Sequence, residues 1–440
     1  MACRPVAQFV FLLGILPPLT ASAHTTLQGE VTVTGGWTDS VGNAPVDTTS
    51  GVLGPAGDFY GEIRPALILT YGSPRFVQRL AYLFTGTEYI HNLGTYANRL
   101  EWGGVAEPTR TTVFQFGLFA AEGTLNTLLT GQDASMAQIG AVPIGNSPYF
   151  TAGANESFLW ELDPVWRLTQ DSLFTLFEPF EPTGPLNYLF DPGIRLDRVW
   201  QHDSLGGELR SEYIYYQALF DANGAVITPE QRQILSRAML RWKHDFGHFF
   251  GTELGFGVIE MMRASDGGGR IWGPAALAAL RYVHPYGYAE LTYTYGIDPN
   301  TLSGQSYEAH QVSLRASLPF GPKRRFQVGA SAGYQHGRLI DVNLGTTTSS
   351  LDLVLADASL TYTPRDEISF FVRYQLFYEV GNPSDAAPEP TYGRNTVMIG
   401  ISGRYPGAPA AVVPGGGPQR VDEVGLSGIP APHSEPDQAQ

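Results

Sequence analysis

The feature that most restricts this chain is an alternation of apolar and polar side chains recurring almost from end to end. A period of two places successive side chains on opposite faces of a strand. In the first such segment Leu27, Val31, Val33 and Trp37 share one parity, and Gln28, Glu30, Thr32 and Thr34 the other. In the last, Val397, Ile399, Ile401 and Tyr405 oppose Arg394, Thr396, Ser402 and Arg404. Between them, Leu209 and Tyr213 oppose Glu208, Arg210 and Glu212, and Phe370, Val372, Tyr374 and Leu376 oppose Ser369, Arg373 and Gln375. Segments of ~9 to 13 residues suit a tilted strand crossing a bilayer, and about eighteen keep the pattern.

The links between segments give an independent reading. Short turns with Gly, Pro or charged residues fall at 72–75, 107–110, 163–165, 202–204, 244–247, 284–286, 319–323 and 364–367. Longer connections fall between them, among them 39–58, 123–155, 178–193, 217–231, 298–305 and 380–392. Short links alternating with long ones are the asymmetry of an outer-membrane barrel, whose periplasmic turns are tight and whose external loops are long. The fold expected is therefore all-β: a transmembrane antiparallel up-and-down barrel of about 18 strands with both termini periplasmic.

Aromatic residues gather beside the short turns: Tyr71, Phe76, Trp160, Trp166, Trp242, Phe249, Tyr282, Tyr286 and Phe320. Trp and Tyr favour a membrane interface because one end of the ring is dry and the other wet. Two residues fit badly. Pro65 cannot donate a ladder hydrogen bond, so a bulge is expected there. Arg198 falls on the apolar parity beside Leu196 and Trp200, which requires either a register shift or an interfacial position.

The chain opens with Arg4, an apolar run over 10–16 and the triplet Ala21, Ser22, Ala23. That pattern is a secretory signal peptide over 1–23, with the barrel over 24–405. The single cysteine, Cys3, lies in the leader, so the remainder has no disulfide, thiolate metal site or lipid anchor. The stretch 406–440 is rich in Pro, Gly and Ala and reads as a disordered periplasmic tail. A net charge of −15 argues against nucleic acid as a partner.

The closing strand 398–405 resembles the assembly signal of outer-membrane barrels, in which a Gly precedes apolar residues and an aromatic ends the strand; Gly400 and Tyr405 match and Gly403 departs. The resemblance implies insertion by the barrel assembly machinery into the outer membrane of a Gram-negative cell, with its lipids as the surroundings. Size and strand count also resemble the eighteen-stranded outer-membrane channels, both the porins selective for small solutes and the barrels that export exopolysaccharide or alginate. That resemblance is architectural and carries no residue across.

A barrel of this size encloses an aqueous lumen. The lumen-lining candidates are Arg64, Arg79, Arg99, Glu101, Arg167, Arg210, Glu212, Arg237, Arg241, Lys243, Arg281, Arg315 and Arg373. With Glu62, Glu161, Asp171, Asp197, Glu208, Glu253, Glu290 and Asp357 on the same parity, acids and bases nearly balance, which suits polar solutes of low charge. Arg237, Arg241 and Lys243 form the best basic strip, along which an anionic glycan could track or which could be tied in salt bridges. The connection 123–155, poor in charge, is either a constriction folded into the lumen or an external cap. His202, Asp203 and Ser204 faintly resemble the His-x-Ser motif of outer-membrane phospholipase, but they lie in a short turn and Leu205 and Gly206 replace the expected Asn-Gly. The expected function is a non-enzymatic channel without cofactor or metal. It exports an exopolysaccharide with a periplasmic polysaccharide-export protein or, alternatively, passes sugars or other small polar solutes as a porin.

Overall fold

The computed structural model describes residues 24–40, 57–124, 148–180, 186–220, 226–228, 230–263, 269–299, 306–341, 346–381 and 392–406. The expected leader, the tail beyond Pro406 and residues 125–147 of the long connection lie outside them. Among the described residues no helix is long and apolar enough to cross a membrane.

Eighteen strands form one closed antiparallel sheet. They are β1 (His24–Thr38), β2 (Asp58–Ser73), β3 (Phe76–Tyr89), β4 (Thr95–Thr109), β5 (Thr112–Thr124), β6 (Pro148–Glu161), β7 (Trp166–Pro179), β8 (Asn187–Val199) and β9 (Asp203–Tyr216). After the small hairpin β10 (Leu219–Phe220) and β11 (Val226–Thr228), the wall continues with β12 (Gln231–Asp245), β13 (Phe250–Arg263), β14 (Arg270–His284), β15 (Gly287–Pro299) and β16 (Ser306–Phe320). It ends with β17 (Phe326–Asp341), β18 (Thr346–Arg365), β19 (Ile368–Gly381) and β20 (Tyr392–Tyr405). Each wall strand pairs with its neighbours in sequence order, and β20 closes on β1, with Gly29 opposite Tyr405 and Thr38 opposite Thr396. Closure leaves no unpaired edge, the condition for crossing hydrocarbon with strands.

The alternation sorts the two faces. On β1, Leu27 is 57% exposed and Gln28 only 4%. On β9, Leu209 is exposed while Glu208 is buried. The apolar parity thus faces outward and the polar parity lines the interior. Even a 13-residue strand such as β5, rising ~3.3 Å per residue and tilted about 40°, climbs roughly 33 Å, enough for the ~25 Å apolar band. The outward Val33 sits amid Ile63 and Ile401, its exposed cross-strand neighbours. Val33→Arg should therefore cost about 2–4 kcal/mol of stability in phospholipid vesicles, as charges near the bilayer midplane do. Denaturant titration of the inserted barrel would measure it, and a change within error would place Val33 outside the apolar band.

At one rim the links span 74–75, 110–111, 162–165, 200–202, 246–249, 285–286, 321–325 and 366–367. Gly247 and Gly321 take φ of 119° and 76° there, a region open to glycine at little cost. His24 and Tyr405 lie at this same rim. Links at the opposite rim run longer on average, but 90–94 after β3 and 342–345 after β17 are as short as the turns. The alternation is one of typical lengths and is not strict. β6 also begins inside the expected connection, since Thr124 pairs with Pro148.

Neither misfit shifts the register. Val31 stands opposite Pro65 in an unbroken β1–β2 ladder. On the other side the β2–β3 pairing lapses between Ile63 and Ala66 and resumes in the same register, so the missing N–H is absorbed by a gap and not by the expected bulge. Bulges occur instead beside short links, in β4–β5, β17–β18 and β18–β19. Arg198 keeps its outward position in the last β7–β8 pair, opposite Trp166. Most of the aromatic residues expected at the short turns form an outward collar on this rim; Tyr71 is buried against Phe76, ring centroids 6.4 Å apart. The collar also recruits Phe326, Tyr362 and Phe370 in a row from Phe320.

Candidate functional site

The thirteen lumen candidates all fall on inward-facing positions. Most are tied to carboxylates. Arg64 pairs with Glu62 at 2.5 Å, Arg99 with Glu101 at 2.5 Å, Arg167 with Glu161 at 3.2 Å, Arg281 with Glu290 at 2.7 Å and Arg373 with Asp357 at 2.5 Å. Arg99 also lies over the Phe119 ring, 4.8 Å from its centroid. Arg315 stands opposite Glu290 in the β15–β16 register. Arg79 keeps a buried Nε without a hydrogen-bond partner among the described residues.

The densest network covers the inner wall from β7 to β13. Arg210 bonds Asp171 and Asp191 and lies 3.7 Å from Glu208. Glu208 is the hub: it also meets Arg237 at 3.5 Å and bonds Arg241. Arg241 reaches Glu253 with its Nε at 2.7 Å, and Lys243 lies 3.4 Å from the same carboxylate. Glu212 extends the face one position beyond Arg210. The strip Arg237, Arg241, Lys243 is therefore enclosed in a network where four cations, Arg210 included, meet four carboxylates, Asp171, Asp191, Glu208 and Glu253. It offers no open track of positive charge, and the wall of paired charges is what the arrangement supplies.

Toward the long-link rim the inner wall changes character. Leu189, Ile214, Tyr216, Leu235, Met239, Ile259, Met261 and Ala275 are buried in one apolar cluster on the inward parity of β8, β9, β12, β13 and β14. Ile340 of β17 belongs to the same cluster, and Ile297 of β15 packs against it. A second cluster joins Tyr307, Leu351, Leu353, Leu355 and Phe377. Ser306 Oγ of β16 donates to Gln233 Oε1 of β12 at 2.7 Å, with both side chains buried. Three strands separate β12 from β16 along the wall, a distance of about 19 Å at ~4.8 Å per step. Two such side chains cannot span that gap across a circular section. The wall from β15 to β17 is thus drawn inward at this rim and narrows the lumen.

This narrowing was missed from sequence. Its signal is the mixed parity of β12, where Leu235 and Met239 share a face with Arg237 and Arg241. The connection 123–155, expected to narrow or cap the pore, is described only at its flanks. His202 lies in the 200–202 turn, and the Asp203 carboxylate accepts from Trp242 Nε1 at 3.0 Å and contacts His244 Nδ1 at 2.9 Å. Among the described residues no cluster of His, Cys, Asp or Glu has the arrangement of a metal site.

No protein-family model matches the chain, and no curated protein does. Among solved structures it is similar to the siderophore receptor PirA from Acinetobacter baumannii, at 7% identity over 86% of this chain and 80% of that one, with a TM-score of 0.43. It is similar to the copper transporter OprC at 11% identity, over 87% and 80% of the two chains, TM-score 0.42. The outer membrane protein opdK from Pseudomonas aeruginosa matches at 9% identity over 86% and 99%, TM-score 0.41. Likenesses this slight carry no argument, and the barrel stands on its own ladder of strand pairs. The chain is an 18-stranded closed antiparallel β-barrel.

Proposed function

We propose that this barrel is a passive channel of the Gram-negative outer membrane that admits small polar solutes, with its short turns in the periplasm. The observation that carries the reading is the inward fold of β15 to β17, held by the Ser306–Gln233 bond and by Ile340 in the cluster of the opposite wall. A narrowed lumen whose charges are mostly paired suits a small solute of low net charge. Extrusion of a long polymer asks for an open, evenly polar bore, and the strip that would have guided an anionic glycan is tied into that network of four cations and four carboxylates. Insertion by the barrel assembly machinery follows from the closing strand, and no cofactor or catalytic step enters this reading.

Liposomes holding the refolded barrel test it. Monosaccharides and disaccharides should cross, and the rate should fall steeply with each added sugar unit. If the vesicles pass long glucans as fast as glucose, the small-solute reading fails and export with a periplasmic partner takes its place. Loss of surface polysaccharide on gene deletion, with unchanged uptake of small solutes, would have the same meaning.

A further inference from the structure

Lumen chemistry leaves Arg198 unexplained, a cation on the outer, lipid-facing side of the wall. Its guanidinium lies between two indoles, with Cζ 6.0 Å from the Trp166 ring centroid and 5.2 Å from that of Trp200. Leu196, two residues nearer the bilayer centre, is 42% exposed, so Arg198 marks the edge of the apolar band. Its side chain makes no hydrogen bond or ion pair among the described residues. The acids of the two flanking turns are engaged elsewhere: Asp163 Oδ1 accepts the backbone N–H groups of Val165 and Trp166, each at 2.8 Å, and Asp203 is held by Trp242 and His244. The same rim offers a contrast in Arg324, which lies over Tyr286 but donates to the Pro285 carbonyl at 2.8 Å.

We propose that Arg198, clamped by Trp166 and Trp200, binds the phosphate of an anionic phospholipid in the adjoining leaflet. An unpaired guanidinium at an interface presents a planar fork of N–H donors, a geometry that matches phosphate oxygens two at a time. The indoles restrict that fork by cation–π contact and seat their own rings among the headgroups, lowering the entropic cost of binding. Charge complementarity selects the occupant, because the membrane boundary presents phosphate at this depth and the protein provides no carboxylate. The lipid tails would lie along Leu196 and Ile194, both exposed above the site. The inference requires the barrel in a bilayer and is independent of what crosses the lumen.

The full-length barrel in phosphatidylcholine nanodiscs, titrated with phosphatidylglycerol bearing brominated chains, tests this through quenching of tryptophan fluorescence. The wild type should prefer phosphatidylglycerol over brominated phosphatidylcholine by about fivefold, the equivalent of ~1 kcal/mol for one basic residue near an anionic surface. Arg198→Gln should abolish the preference, Arg198→Lys should keep part of it, and Arg324→Gln should leave it unchanged. Unaltered strand content and unfolding in the variants establish that the barrel is intact. A wild-type preference that persists in Arg198→Gln overturns the proposal. Displacement of the lipid by inorganic phosphate overturns it in favour of a free-anion site.

Discussion

Replacing Glu208 by Ala is expected to lower the unfolding free energy of the barrel by about 3–5 kcal/mol and to make the pore anion-selective. Glu208 faces Arg210, Arg237 and Arg241, and its carboxylate is only 6% exposed. Removing one member of a buried ion pair leaves the other charges desolvated without compensation. Arg210 retains Asp171 and Asp191, and Arg241 retains Glu253, but Arg237 has no other carboxylate within ion-pair distance among the described residues. The lumen then carries an excess positive charge where its wall is most charged, and a ring of one sign selects ions of the other. Glu208→Gln keeps the volume and separates charge from packing. Reversal potentials across a planar bilayer under a salt gradient report the selectivity, and urea titration in vesicles reports the stability. If the variant is as stable as the wild type and equally unselective, the network around Glu208 is not formed in the membrane.

The second large effect concerns the narrowed rim. Changing Leu235, Ile259 and Ile340 together to Ala should raise single-channel conductance, since these side chains belong to the cluster that holds the inward-drawn wall. Each truncation alone should cost about 2–5 kcal/mol, nearer the lower figure where water fills the space. Alanine placed instead at the outward residues Leu209, Val258 and Val328 should leave conductance unchanged, because those side chains are exposed on the outer face. Equal conductance in the two triple variants would mean that the narrowing does not limit flow, and the solute-size argument would fall with it.

The architecture was legible because a period of two is a backbone property: once Leu27 faces lipid, Gln28 must face the lumen, whatever else the chain does. Strand number and the closed sheet followed from that rule and from the turn-like composition of links such as 285–286. Where the reading erred, a local residue had two ways to be accommodated. Pro65 could bulge the strand or interrupt the ladder, and only the neighbouring β3 decides which. The links after β3 and β17 carry turn-length connections at the long-link rim, which no composition rule forbids. The candidate site was half legible. Parity assigned each charged side chain to the interior, but Arg241 meets Glu208 and Glu253 through the register of three strands. The contact between Ser306 and Gln233 was out of reach, for it depends on the shape of the cross-section and not on any ladder.

The seam between β1 and β20 has one further consequence. It pairs residues nearly a full chain apart, Gly29 with Tyr405, whereas every other wall strand meets a sequence neighbour. Until the seam forms, the sheet has two open edges that can recruit other chains, so a barrel lacking either strand is a template for aggregation and not a smaller pore. Once it forms, the circle has no privileged starting strand. The two ends of the described barrel meet at one rim, so the order in which the strands are strung along the chain is a matter of history, while the cyclic order of neighbours is what the side chains encode.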